Sequence, residues 1–114
     1  MYVSVTGLKV KRIWHLPRFW WHAMRSFRQA QRAPGVRLIE VRNVKGYQHT
    51  LTCWHSRRDM LNFMRSRPHI DAIRAFGDIA TGRTYGWEAE AAPNWDDALA
   101  QWREKGRDYE GRSK

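Results

Sequence analysis

The hydrophobic positions change period along the chain, and the first two changes mark a strand followed by a helix. Residues 2–10 alternate, with Val3 and Val5 set between polar residues, which is the period of a half-buried strand. Residues 18–33 change to three- and four-residue spacing, and Pro17 suits the first turn of a helix. The apolar stripe of this helix consists of Phe19, Trp20, Ala23, Met24, Phe27 and Ala30.

Two further strands are predicted after Pro34-Gly35, which ends the first helix. Residues 36–43 and 47–55 both alternate, and Lys45-Gly46 between them is typical of a hairpin turn. The second of these strands has two clearly different faces. One face carries Tyr47, His49, Leu51, Cys53 and His55, and the other carries Gln48, Thr50, Thr52 and Trp54.

The second half of the chain repeats the helix-and-strand pattern. Ser56 with Asp59 three residues later predicts a helix start, and Pro68 interrupts that helix. A second helical segment then runs to Phe76, with Gly77 as its predicted end. Residues 83–91 form a predicted last strand. Asn94 is the predicted cap of a final helix, which ends at Gly106 and has a stripe of Trp95, Leu99 and Trp102.

This order of elements predicts an α+β protein with the ferredoxin-like βαββαβ fold and an added C-terminal helix. Residues 1–106 would form a single domain with a four-stranded antiparallel sheet, and residues 107–114 a loose tail. Apolar side chains occur on both faces of the predicted sheet, which is more than one layer of helices can cover. We therefore expect a homodimer that packs sheet against sheet as a dimeric α+β barrel.

Composition adds a strong and uneven positive charge. The chain has 114 residues, a formal charge of +10 and seven tryptophans. Residues 1–45 contain ten Lys or Arg, and Glu40 is their only acidic residue. Arg18 and Arg25 on the first helix are the predicted anion-binding residues. A solvated surface, or pairing with the acidic C-terminal third, is the more usual explanation of this charge, and nucleic acid or an anionic membrane is a further partner class for the same face.

The single cysteine and the general character of the sequence favour a cytoplasmic protein. Cys53 alone cannot form an internal disulfide or a multi-cysteine zinc site. No apolar run reaches the length of a membrane span, and no signal-peptide pattern is present. No metal site is predicted. His49 and His55 stand too far apart on one strand to share an ion.

Residues 51–69 resemble a known family. The stretch Leu-Thr-Cys-Trp-His-Ser-Arg-Arg-Asp-Met-Leu-Asn-Phe-Met-Arg-Ser-Arg-Pro-His is similar to the strand-to-helix signature of the dimeric α+β barrel superfamily. That superfamily includes the antibiotic biosynthesis monooxygenases, and the sequence also resembles spheroidene monooxygenase-like proteins, which act on carotenoids.

The resemblance implies a pocket between the sheet and the first two helices. An aromatic or polyene ligand would bind there, and a cofactor-free monooxygenase reaction would need a positioned base and a dry cavity. His69 is the predicted base. In the alternative hypothesis the chain is a haem-binding protein, and His69 is the axial ligand of the haem iron. The remaining predicted ligand-binding residues are Trp54, Trp20, Tyr47, His49 and His22. Dimer contacts are the preferred explanation of His49, and core packing is the commonest use of tryptophans such as Trp20.

Overall fold

The computed structural model describes residues 1–66 and 69–108, and it contains the predicted succession of strands and helices. The strands are β1 (Tyr2–Val10), β2 (Val36–Val44), β3 (Tyr47–Trp54), β4 (Ala80–Glu88) and β5 (Arg107–Asp108). The helices are α1 (Leu16–Arg32), α2 (Arg57–Arg65), α3 (His69–Ile79) and α4 (Trp95–Lys105), with a short 3-10 turn at Ile13–His15 before α1.

The sheet is antiparallel, and its strand order is β2-β3-β1-β4-β5. The four long strands have the ferredoxin-like arrangement, so the predicted fold class is confirmed. In the central register Val5 lies opposite Leu51 on β3 and Tyr85 on β4, while Thr6 lies opposite Thr50 and Thr84. The strands therefore present an apolar face and a hydroxyl-rich face on opposite sides.

The predicted helix caps hold, but two boundaries differ from the sequence prediction. The Ser56 hydroxyl accepts from the Asp59 amide at 3.2 Å, and the Asn94 side chain caps α4. Gly77 was wrong as a helix end, because α3 continues to Ile79 and β4 begins at once at Ala80. Both Ile79 and Ala80 are buried in a cluster with Phe19, so core packing carries the chain past the glycine. The last strand accordingly spans 80–88 rather than 83–91.

Helices cover both faces of the sheet, whereas we expected a second copy of the chain to cover one face. Helices α1, α2 and α3 cover the hydroxyl-rich face, and α4 packs on the apolar face. Trp95 Nε1 donates to Glu40 Oε1 of β2 at 2.9 Å, and Trp102 Nε1 donates to the Arg83 carbonyl of β4 at 2.8 Å. Helix α4 is thus fixed near both ends, and beneath it lies a buried cluster of Val3, Val5, Leu51 and Cys53.

The α4 layer changes the argument for a dimer. One chain alone buries these four residues, so a second copy is not needed to cover them. The homodimer through the sheet face stays a prediction. The division into a domain over 1–106 and a loose tail also stays a prediction. Residues 107 and 108 pair with β4, and residues 109–114 lie outside the described part.

Within the described residues, no helix combines the length and apolar character needed to cross a membrane.

Candidate functional site

A cavity of about 320 Å³ lies between the hydroxyl-rich face of the sheet and the helices α1, α2 and α3. Its volume is at the lower end of the range usual for small-molecule sites. The position agrees with the pocket that the resemblance implied. The strands supply the floor and, through Trp54 of β3, part of the wall, and the three helices supply the rest of the wall.

The floor of the cavity is polar. Thr6 and Thr84 place their hydroxyl oxygens 3.0 Å apart across β1 and β4, and the Thr52 hydroxyl donates to the Ser4 carbonyl at 3.4 Å. These groups lie on one face because residues two apart on a strand share a face. The polar floor consists of Ser4, Thr6, Gln48, Thr50, Thr52 and Thr84.

The walls are apolar and aromatic. Trp54 is fully buried, and its ring lies 5.2 Å from that of Phe63 on α2, measured between centroids. Phe19 of α1 and Phe76 of α3 lie 5.0 Å apart in the same way and close the opposite part of the wall. A planar apolar molecule would therefore contact aromatic side chains above the polar floor.

The mouth of the cavity lies between α1 and the edge strand β2. Three large apolar side chains of the lining are exposed: Trp20 is 45% exposed, Met24 is 53% exposed and Val41 is 49% exposed. A ligand would enter across these apolar groups, with Trp20 at the rim.

Two residues that line the cavity each have a buried polar atom without a hydrogen-bond partner among the described residues. These atoms are Trp54 Nε1 and Ser26 Oγ. Buried polar atoms are normally paired, and leaving one unpaired costs about 1–3 kcal/mol. Because the indole nitrogen only donates, its natural partner is an acceptor such as a ligand oxygen.

The structure separates the predicted ligand-binding residues into two groups. Trp54 and Trp20 line the cavity. Tyr47 and His49 lie on the other face of the sheet, where both rings pack against Trp102 of α4. Neither residue lines this cavity, and their ligand-binding role stays a prediction. Strand alternation had placed them opposite Trp54, and the cavity lies on the Trp54 side.

His49 belongs to the interface between the sheet and α4. It is 2% exposed, its Nδ1 has no partner among the described residues, and its ring meets Trp102 edge-on at 4.6 Å between centroids. Burial lowers the pKa of His49, and Arg103 lowers it further, while a backbone hydrogen bond to Thr6 raises it. A neutral imidazole fits this dry contact.

His22 lies behind the cavity wall rather than in it. Its ring approaches Phe76 edge-on, with 6.4 Å between centroids, on the side of α1 toward α3. Burial lowers the pKa of His22, the charges of Arg18 and Arg25 lower it further, and Asp71 opposes them. His22 thus has no direct contact with the cavity and cannot line it as expected.

The remaining predicted residues lie elsewhere. Arg18 and Arg25 are exposed on the outer surface of α1, and neither lines the cavity. His69 is the first residue of α3, and its side chain lies outside the described part of the structure. Its predicted role as a base, or as a haem ligand, stays a prediction.

The described lining contains no side chain that changes charge near neutral pH. Among the described residues, no group of three or more His, Cys, Asp or Glu is arranged to hold a metal ion. Cys53 is buried beneath α4, and burial raises the pKa of its thiol. The chemistry that the described cavity offers is hydrogen bonding and aromatic contact.

The hydroxyl floor and Ser26 were missed as site residues. The alternation of threonines on β3 was visible in the sequence, and it marked one strand face as polar. Nothing in the sequence showed that this face bounds a cavity. Ser26 had no signal, because a single serine inside a helix usually points to solvent.

The chain has the fold of the antibiotic biosynthesis monooxygenase-like proteins. The solved structure of a candidate antibiotic biosynthesis monooxygenase from Deinococcus radiodurans superposes with a TM-score of 0.70 at 17% identity, covering 82% of this chain and 97% of that one. A similar protein from Nitrosomonas europaea gives 0.69 at 12% identity, covering 80% and 100%.

A third similar structure is SnoaB from Streptomyces nogalater, a cofactor-independent oxygenase. It superposes with a TM-score of 0.65 at 12% identity and covers 82% of this chain and 97% of that one. At these identities the likeness concerns the fold. The sequence itself matches no protein-family model. No curated protein is similar to it by sequence.

Proposed function

We propose that the cavity binds an apolar aromatic or polyene small molecule that carries at least one hydrogen-bond acceptor. The observation that carries the proposal is the unpaired, buried Nε1 of Trp54, a residue that lines the cavity. A ligand carbonyl or phenol oxygen would satisfy this donor, and a pure hydrocarbon would not. The aromatic walls and the hydroxyl floor support the same ligand class.

A matched pair of ligands tests the acceptor requirement. Anthrone and dihydroanthracene share one tricyclic skeleton and differ by a carbonyl oxygen. We expect anthrone to bind the protein about 3- to 10-fold more tightly, which corresponds to one net hydrogen bond of about 1 kcal/mol. Calorimetric titration of both ligands measures the ratio.

The Trp54→Phe variant is the matched control, since phenylalanine keeps an aromatic ring and removes the donor. In this variant the preference for anthrone should disappear. Equal affinity of the unmodified protein for both ligands, or an undiminished preference in Trp54→Phe, contradicts the proposed role of Nε1.

We further propose cofactor-independent oxygenation as the activity of this site, on the support of the shared fold and the apolar cavity. A base would remove a proton from an activated CH₂ group of the substrate, and the carbanion would react with O₂ to give a carbonyl and water. His69 is the base that this proposal names. Conversion of anthrone to anthraquinone, followed by absorbance, measures the activity.

The variant His69→Ala separates the two parts of the proposal. Turnover that is lost in His69→Ala while anthrone still binds supports both parts. Binding without turnover in the unmodified protein leaves a binding protein and removes the oxygenase activity. A shifted Soret band on addition of haemin would favour the haem alternative, for which the described cavity lining supplies no histidine, cysteine or tyrosine ligand.

A further inference from the structure

An exposed aromatic surface covers the turn at Ile13–His15 and the first half of α1. Trp14 is 70% exposed, Trp21 is 61% exposed and Ile13 is 77% exposed. We name this the tryptophan surface, and its members are Ile13, Trp14, Leu16, Trp20, Trp21 and Met24. Large apolar groups gathered in this way on one surface indicate an interaction site.

These side chains do not serve the core of the protein. The inner face of α1 already packs through Phe19 and Ala30, each 2% exposed. Along the helix, Leu16, Trp20 and Met24 follow at four-residue spacing and form a row on one side. Trp21 lies beside this row, so the surface is continuous over the first half of the helix.

The charged side chains of the segment that carries the tryptophan surface have one sign. The Arg12 guanidinium lies 5.8 Å from the Trp14 ring centroid, and the Arg25 guanidinium lies 5.4 Å from that of Trp21. Arg18 is exposed on the same helix. Residues 1–39 contain no Asp or Glu, so no acidic group of this segment offsets these cations.

We infer that the tryptophan surface docks on an anionic lipid bilayer, with α1 lying in the plane of the interface. Tryptophan rings prefer the headgroup level of a membrane, and arginines beside them attract anionic lipids. Trp20 and Met24 belong both to this surface and to the cavity mouth, whereas Ile13, Trp14, Leu16 and Trp21 do not line the cavity, so the inference is tested on that second group.

The charge pattern argues against the other occupants of this surface. A second copy docking through the same patch would place cations against cations, since a two-fold interface brings identical surfaces together. Single-stranded nucleic acid would use the aromatic rings but would leave the aliphatic groups Ile13, Leu16 and Met24 without a partner. A bilayer accepts aromatic, aliphatic and cationic groups together.

Co-sedimentation with vesicles tests the inference. The intact chain is mixed with vesicles of phosphatidylcholine and phosphatidylglycerol in equal parts, and with vesicles of phosphatidylcholine alone. We expect binding to the anionic vesicles that weakens as salt is added, because the surface potential is screened. Absence of binding to anionic vesicles at low salt overturns the inference. Equal binding to both vesicle types overturns its electrostatic part.

Single variants locate the contact. Arg18→Gln should lower the partition coefficient about fivefold, the effect of about 1 kcal/mol per basic residue at an anionic surface. Trp14→Ser should lower it about tenfold or more, since an inserted tryptophan removes on the order of 100 Å² of apolar area from water. Both side chains are exposed, so the fold should tolerate both changes.

Arg58→Gln on α2 is the matched control, because it removes the same charge from an exposed site outside the tryptophan surface. It should change vesicle binding less than twofold. If Arg58→Gln weakens binding as much as Arg18→Gln, net charge alone explains the binding, and the assigned surface is wrong. Binding of an oligonucleotide but not of vesicles, or a dimer that Trp14→Ser dissociates, also overturns it.

Discussion

Replacement of Ser26 by alanine should make the protein more stable and its ligand binding weaker. Ser26 lines the cavity, and its hydroxyl is buried without a partner among the described residues. Removing a buried unpaired hydroxyl recovers about 1–3 kcal/mol, and alanine adds up to about 0.7 kcal/mol through its helix propensity. We expect a net gain in the free energy of unfolding of about 1–3 kcal/mol.

This gain is large enough to measure by thermal unfolding. For a chain of this size, about 1 kcal/mol shifts Tm by roughly 4 °C, so Ser26→Ala should raise Tm by roughly 4–12 °C. The control is Ser66→Ala. The Ser66 hydroxyl donates to the Phe63 carbonyl at 2.9 Å and accepts from Gln29 Nε2 at 2.6 Å, so the same chemical change should lower Tm there.

Ligand binding completes the test of Ser26. The single oxygen of anthrone is assigned to Trp54, so a test of Ser26 needs a ligand with further oxygens, such as a dihydroxyanthrone. If the Ser26 hydroxyl pairs with one of them, Ser26→Ala should weaken binding of that ligand about 3- to 10-fold although the protein is more stable. A fall in Tm would show that Ser26 is already paired within the protein and would refute the reasoning. A higher Tm with unchanged affinity would remove Ser26 from the ligand site.

Two further predictions concern the contact between the sheet and α4. A Cβ on Gly7 would lie 2.5 Å from both His49 Cε1 and Trp102 Cζ2, so Gly7→Ala should lower the free energy of unfolding by about 1–3 kcal/mol in urea denaturation; an unchanged urea midpoint would contradict this close packing. The lowered pKa of His49 means that the unfolded chain binds protons more readily, so stability should be full above the ordinary histidine pKa of about 6.5 and fall as pH decreases below it. The pKa of His22 is also lowered, so both histidines contribute to this loss of stability at low pH. His49→Gln should therefore make the free energy of unfolding depend less on pH without removing the dependence. An unchanged pH profile in that variant would exclude His49 as a cause.

The fold was predictable because its signals are local. The alternation over residues 47–55, the cap at Ser56 and the cap at Asn94 each depend on neighbours a few positions away, and each agrees with the structure. Gly77 failed as a helix end for the opposite reason. Burial of Ile79 and Ala80 depends on contacts with distant segments, which a local cap signal does not contain.

The candidate site was predictable only in part. Alternation correctly divided β3 into a face with Trp54 and a face with His49, but it could not say which face bounds a cavity. The stripe of Trp95, Leu99 and Trp102 indicated that α4 packs on the protein. The sheet face on which it packs involves hydrogen bonds to Glu40 and to the Arg83 carbonyl, which lie far from α4 in the sequence. Tyr47 and His49 were predicted to contact the ligand because they are polar or aromatic. In the structure their rings pack against Trp102 of α4.

The two faces of the sheet therefore have different roles: one lines the cavity and the other packs against α4. The strand register determines which residues lie on each face. Side chains at even positions of β1, such as Ser4 and Thr6, face the cavity, and those at odd positions, such as Val3 and Val5, face α4. A side chain at Gly7 would meet Trp102 of α4, so a change there should loosen α4 without touching the cavity floor. Variants at even positions should alter ligand binding first, and variants at odd positions should alter stability first, because the pleat allows each residue of a central strand only one of the two faces.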